Sequence, residues 1–150
     1  MSYLAYALAR IFVPVLFIIS GWGKLTNVDA VAQQIGGIPI QFPTELESYL
    51  PVPRDEFLGY LVGAVEFFGG IMILLGLKAR WAALALLVFT ALATYYFHNF
   101  WDIADAAQYM AQRAQALKNL SIMGGLLMIA IMGSGAYSLD YPTPGAMRGT

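Results

Sequence analysis

Phe57-Leu-Gly-Tyr-Leu-Val-Gly-Ala-Val-Glu66-Phe-Phe-Gly-Gly-Ile-Met-Ile-Leu-Leu-Gly-Leu77 is an apolar run with Glu66 as its single charge. A hydrocarbon layer of about 30 Å is crossed by roughly 20 such residues in a helix, so this run reads as a membrane span. Gly59, Gly63, Glu66 and Gly70 follow one another at spacings of 4, 3 and 4 and therefore share one helical face. Gly59-x-x-x-Gly63 permits close approach of a neighbouring helix. That turns Glu66 toward other helices rather than toward lipid. An ionisable residue at this depth is expensive to keep, which makes it a candidate functional residue.

Working outward from this run, three further segments have span length: Tyr3 to Lys24, Arg80 to Phe100 and Leu117 to Tyr137. The chain of 150 residues is 59% hydrophobic and only 11% charged. An ordinary globular domain is about 25% charged, so this one cannot cover a water-facing surface in the usual way. In lipid every backbone group must be satisfied internally, so the spans are helices. The expected fold is all-α: one transmembrane domain over residues 1–150, an integral-membrane four-helix up-down bundle. Lys78-Ala-Arg80 is a tight connector that makes spans two and three antiparallel neighbours. The first run is not read as a cleaved leader: no Lys or Arg precedes it, Arg10 interrupts it, and no A-x-A-like site follows.

Between spans one and two, Thr26 to Glu56 is too apolar for a solvated linker (Ile35, Ile38, Ile40, Phe42, Leu46, Tyr49, Leu50) and predicts short helices or turns packed on the bundle mouth. Before span four, Ile103, Ala107, Met110, Ala114 and Leu117 recur at helical spacing, with Asp102, Asp105, Gln108, Gln112 and Gln115 on other faces. That pattern predicts an amphipathic outer helix leading into the last span. Pro142 and Pro144 mark a breaker-rich tail after Asp140.

Composition also excludes chemistry. There is no Cys, hence no disulfide, thiolate metal site or cysteine nucleophile. A single His rules out a His-cluster metal site and bis-His haem from this chain alone. No metal site and no covalent cofactor is expected. A net charge of −1 without a basic block argues against nucleic acid as a partner. Lys78, Arg80 and Arg148 fall on the side of the termini, and Lys24, Arg54, Arg113 and Lys118 on the other. The count gives no majority. The short positive connector favours both termini in the cytoplasm.

Arg10, Phe17 and Lys24 are spaced seven apart along span one, with Gly21 on the same stripe. Counted from the inner ends of their spans at 1.5 Å per residue, Arg10 lies about 10 Å deep and Glu66 about 16 Å. An Arg side chain bridges that difference, so an intramembrane ion pair Arg10–Glu66 is expected. Pro14 cannot bond the carbonyl of Arg10, which frees an acceptor and kinks the helix there. Thr90, Thr94, His98 and Trp101 form a stripe on span three, flanked by Tyr95 and Tyr96, and Lys118, Ser121 and Gly125 share a face of span four. The ends of three spans thus bring Lys24, His98, Lys118 and Asn119 to the outer side, with Trp22 and Trp101 nearby. These six residues are the expected ligand-binding group: an electropositive mouth suited to a quinone headgroup or a small anion.

Each residue also has a structural role open to it. The ion pair fixes helix register. The lysines snorkel, His98 is a hydrogen-bonded interface residue, and the tryptophans form an aromatic belt. Convergence of polar groups from four helices is what favours a site.

The order of features resembles the DoxX family of small four-span bacterial membrane proteins. Arg10 and Ser20-Gly-Trp-Gly-Lys24-Leu25 carry the likeness in span one. Glu66-Phe-Phe-Gly-Gly70 with Leu74-Leu-Gly-Leu-Lys-Ala-Arg80 carries it in span two, and His98-Asn-Phe-Trp101 closes span three. Lys118-Asn119, Gly124-Gly-Leu-Leu127 and Ser138-Leu-Asp140 complete it. The resemblance implies a multi-pass protein of the bacterial inner membrane. The family name comes from a subunit of a thiosulfate:quinone oxidoreductase, and other relatives are linked to quinone and catechol resistance or to membrane redox complexes. It therefore implies a quinone-linked oxidoreductase component whose electrons come from a bound quinol or a partner. Roles that need the chain's own thiols do not transfer. Two other classes compete: a non-catalytic scaffold or assembly subunit that holds a membrane protein partner, and a small permease that would have to form a homo-oligomer.

Overall fold

The computed structural model describes residues 3–40 and 42–141. Helices are the regular structure among the described residues: α1 (Tyr3–Thr26), α2 (Val28–Gly36), α3 (Thr44–Glu47), α4 (Arg54–Leu75), α5 (Ala79–Phe97) and α6 (Ala106–Met132), with a 3-10 turn at Phe100–Asp102. Helices α1, α4, α5 and α6 are the four spans, each long and apolar enough to cross a membrane. Their packing is inverted relative to a soluble bundle. Phe12, Ile19, Phe68, Val88 and Ile131 project outward, as lipid-facing side chains do, while Ala79, Ala82 and Ala83 are buried with Phe17, Ile73, Leu86 and Leu126. Small residues inside let the helix backbones approach, which is how helices associate without a hydrophobic drive.

Helix α1 packs chiefly on α4, and α5 chiefly on α6; α4 against α5 joins the two pairs, and α1 touches α6 sparsely. The loop after α1 forms α2, as its apolar content requires, and α2 lies along α4. The amphipathic stretch before span four is continuous with it: α6 starts at Ala106, capped by Asp105 Oδ1 accepting from the Gln108 N–H at 2.8 Å, and runs unbroken into the membrane. It ends at Met132, short of the expected Tyr137. Gly133 stops it, with a φ of 82° that a side chain rarely adopts. The chain then turns back across the end of the bundle that carries the termini. There the Leu139 N–H reaches Leu75 O at 3.0 Å and the Asp140 N–H reaches Gly76 O at 3.2 Å. The breaker-rich tail with Arg148 lies outside the described residues.

Candidate functional site: a buried lysine–glutamate pair under an apolar cavity

Glycine contacts set the register of α1 against α4. A Cβ on Gly21 would lie 2.4 Å from the backbone N of Phe67 and 2.8 Å from Gly63 O, so the two backbones touch there. Further along the same seam, Gly63 faces Leu25, Gly59 faces Val28, and Gly70 faces Ile18 and Pro14. Glu66 is therefore level with Gly21. Lys24 sits one turn beyond, and because helical side chains lean toward the N-terminus, its ammonium reaches back to Glu66. Lys24 Nζ donates to Glu66 Oε2 at 2.6 Å and to Ser20 Oγ at 2.6 Å. The Glu66 side chain is 7% exposed and that of Lys24 27%.

This corrects the expected partner of Glu66. Arg10 is buried, but it lies beside Gly76 at the termini end of α4, about 15 Å along the helix from Glu66 at 1.5 Å per residue. The depth count took both spans to start in one plane, whereas α1 extends past the end of α4. Arg10 instead donates to Ser134 O and, at 2.9 Å, to Tyr137 O. Tyr6 Oη adds a bond to Gly133 O at 2.6 Å. These carbonyls follow the end of α6, where helical partners run out, and a cation is favoured at that helix end. Arg10 is thus the staple of the returning segment.

Above the Lys24–Glu66 pair lies a cavity of about 360 Å³. Leu58, Val62 and Glu66 of α4 form one wall, and Phe89, Leu92, Ala93, Tyr96 and Phe97 of α5 the other. Val31, Gln34 and Ile35 of α2 close it toward the loop end, with Lys24 and Ile40 completing the lining. Val28 and Val31 pack on Gly59, which holds α2 down as a lid. Small-molecule sites begin at about 300 Å³ and combine apolar walls with few polar groups; this cavity has that character.

The other expected ligand-binding residues do not join it. His98 Nδ1 bonds Gln112 Oε1 at 2.7 Å, and Asn119 Nδ2 donates to Thr94 Oγ1 at 2.9 Å. Both bonds lie between α5 and α6, on the side of α5 away from the cavity. Lys118, next to Asn119, is turned by one helical step to the outside and bonds Gln115. Trp22 and Trp101 are more than half exposed, with Trp22 against Phe67 at 5.7 Å and Trp101 against Tyr95 at 6.1 Å. The single electropositive mouth is thus replaced by separate, locally satisfied groups, because α5 and α6 pair with each other before they face α1. Of the expected groups only Lys24 and Glu66 meet across a cavity. Sequence reasoning placed Tyr96 beside the stripe of span three but missed Gln34 and Phe97; the one signal was the apolar spacing of Val28, Val31 and Ile35 on α2.

A four-span bundle with lipid-facing apolar flanks and an ion pair inside defines a multi-pass membrane protein. Residues 5–99 match the DoxX family model, and the chain belongs to that family. It is 37% identical to the inner membrane protein YqjF of Escherichia coli, over 88% of this chain and 86% of the relative. It is 30% identical to the inner membrane protein YphA of the same organism, over 89% and 86%. A shorter stretch, 46% of this chain and 23% of the relative, is 31% identical to the Surfeit locus protein 4 homolog of Schizosaccharomyces pombe. No solved structure matches. With its four apolar helices, the chain is a multi-pass inner-membrane protein.

Proposed function

We propose that this protein holds the aromatic headgroup of a quinone or quinol in the cavity between α2, α4 and α5, as a component of a membrane redox system. The observation that carries this is the Lys24–Glu66 pair lining a largely apolar, ring-walled cavity. The ammonium of Lys24 has a proton to give a carbonyl oxygen, and the carboxylate of Glu66 accepts one from a hydroxyl. The pair therefore suits both the oxidised and the reduced ring, and its net neutrality suits a neutral ligand at this depth. Phe89, Tyr96 and Phe97 supply flat walls. The electrons are exchanged with a partner protein or a second quinol.

A scaffold reading has its own observation: Leu46, Tyr49 and Trp101 stand exposed at the loop end, where a partner would cover them. Calorimetric titration of the full chain in nanodiscs with a short-chain benzoquinone separates the two. Wild type, His98→Ala and Lys118→Ala are expected to bind alike. Lys24→Met is expected to bind about tenfold more weakly, as loss of one charged hydrogen bond implies, and Ala93→Phe, which fills the cavity, not at all. Equal binding by all five proteins, or by none, overturns the quinone reading. A stoichiometric protein partner retained equally by wild type and Ala93→Phe would then support the scaffold.

A further inference from the structure

We propose a second binding site at the opposite end of the bundle, where Lys78 and Arg80 hold a phosphate or phosphodiester anion, supplied at this depth by the headgroup of an anionic phospholipid. Both side chains are exposed and neither makes an ion pair or a side-chain hydrogen bond among the described residues. They flank the start of α5, whose first turn has no acidic residue and whose N-cap makes no side-chain bond. The start of α5 carries partial positive charge, and the end of α6, which Arg80 borders at Gly133, partial negative charge, so the charge of the corner is set by its side chains. Asp140 is the one carboxylate of the cleft, and it accepts the Lys78 N–H at 3.2 Å. One acid against two cations leaves the corner positive.

The corner is also a shaped cleft, of about 350 Å³, bordered by Lys78, Arg80, Trp81, Ser134, Asp140 and Tyr141. Ser134 is only 2% exposed, yet its hydroxyl has no hydrogen-bond partner among the described residues. Its hydroxyl borders the cleft, where an anionic oxygen can accept its proton. Trp81, 72% exposed at the same corner, is the kind of side chain that settles at headgroup level. A phosphodiester with an apolar body meets all these groups at once, and the lipid-facing flank of α5 continues from the cleft to receive its chains.

Native mass spectrometry of the full chain, equilibrated with equal phosphatidylglycerol and phosphatidylcholine, tests the site. Wild type and Lys118→Gln are expected to retain phosphatidylglycerol about tenfold over phosphatidylcholine, as two interfacial cations imply. A Lys78→Gln/Arg80→Gln double variant is expected to lose that preference. Ser134→Ala, which changes no charge, is expected to reduce it several-fold. Equal retention of the two lipids by wild type, or an unchanged preference in the double variant, overturns the proposal. So does an equal loss in Lys118→Gln, which would indicate diffuse surface charge. A parallel thermal-shift series with inorganic phosphate distinguishes the sources: stabilisation of wild type but not of the double variant by phosphate alone keeps the anion site and assigns it to a soluble ion.

Discussion

Lys24 and Glu66 make one ion pair but are not equivalent partners. The Lys24 stem lies near the loop end and its side chain is 27% exposed, so its ammonium can turn to water if Glu66 is neutralised. Glu66, 7% exposed, has no such exit. Glu66→Gln should therefore cost about 1 kcal/mol, near the value of a water-accessible pair. Lys24→Met should cost about 3 kcal/mol, because it strands a buried charge. Denaturant unfolding in mixed micelles measures both, and equal losses would contradict the asymmetry. Arg10 acts on a different part of the chain. Arg10→Gln should destabilise by about 3 kcal/mol, as loss of charged hydrogen bonds to two carbonyls implies. Hydrogen exchange should rise in residues 133–141 and stay unchanged around Glu66. A rise around Glu66 instead would return Arg10 to the pair.

At the scale of elements, the seam between α1 and α4 is set by backbone contact. A Cβ at Gly21 would meet the Phe67 backbone at 2.4 Å, whereas a Cβ at Gly23 would meet nothing within 4 Å. Gly21→Ala should force the helices apart at a cost of about 2 kcal/mol. Gly23→Ala, on the same helix and open to lipid, should be neutral or stabilising by about 0.5 kcal/mol through its better helix propensity. Thermal unfolding of the two variants side by side is the measurement, and similar values would mean that the seam is not tight. Separation at Gly21 also moves Lys24 from Glu66, so Gly21→Ala should weaken the proposed quinone binding while Gly23→Ala leaves it unchanged. Helix α2 belongs to the same seam, since Val28 and Val31 rest on Gly59.

At the scale of the whole molecule, four spans bring the start of α1 and the end of α6 to one side, and the loop end with α2 and α3 to the other. Two of the four cations of the loop end are in ion pairs, Lys24 with Glu66, and Arg54 with Asp55 at 2.7 Å and Glu47 at 3.9 Å, while Lys118 bonds the neutral Gln115 and Arg113 makes no ion pair among the described residues. Lys78 and Arg80, in the short connector, are free of ion pairs among the described residues. Short positive connectors are kept in the cytoplasm, so a fluorescent protein fused to the C-terminus should fold and emit, and an alkaline phosphatase fused there should be inactive. An active phosphatase reverses the orientation and puts the cavity under α2 nearer the cytoplasm.

The sequence by itself determined the class of fold. Apolar runs of bilayer length, tight Lys78-Ala-Arg80 and the glycine face around Glu66 leave few alternatives, because lipid forbids unsatisfied backbone and rewards close helix contact. It also marked Arg10, Glu66, Lys24 and Lys118 as candidate charges, with Arg10 paired to Glu66 and the two lysines in one mouth. Which of them meet was decided by tertiary structure alone. Pairing depends on the axial offset of one helix against another, and that offset comes from where Gly21 can touch Gly63 and Phe67. Helical periodicity gives the face of a residue but not its height relative to a neighbouring helix. For the same reason His98 and Asn119 were legible as inward polar groups, while their capture by Gln112 and Thr94 required knowing that α5 pairs with α6. The cavity itself is the space left between α4 and α5 under α2, and no local pattern in any one helix encodes a space between three.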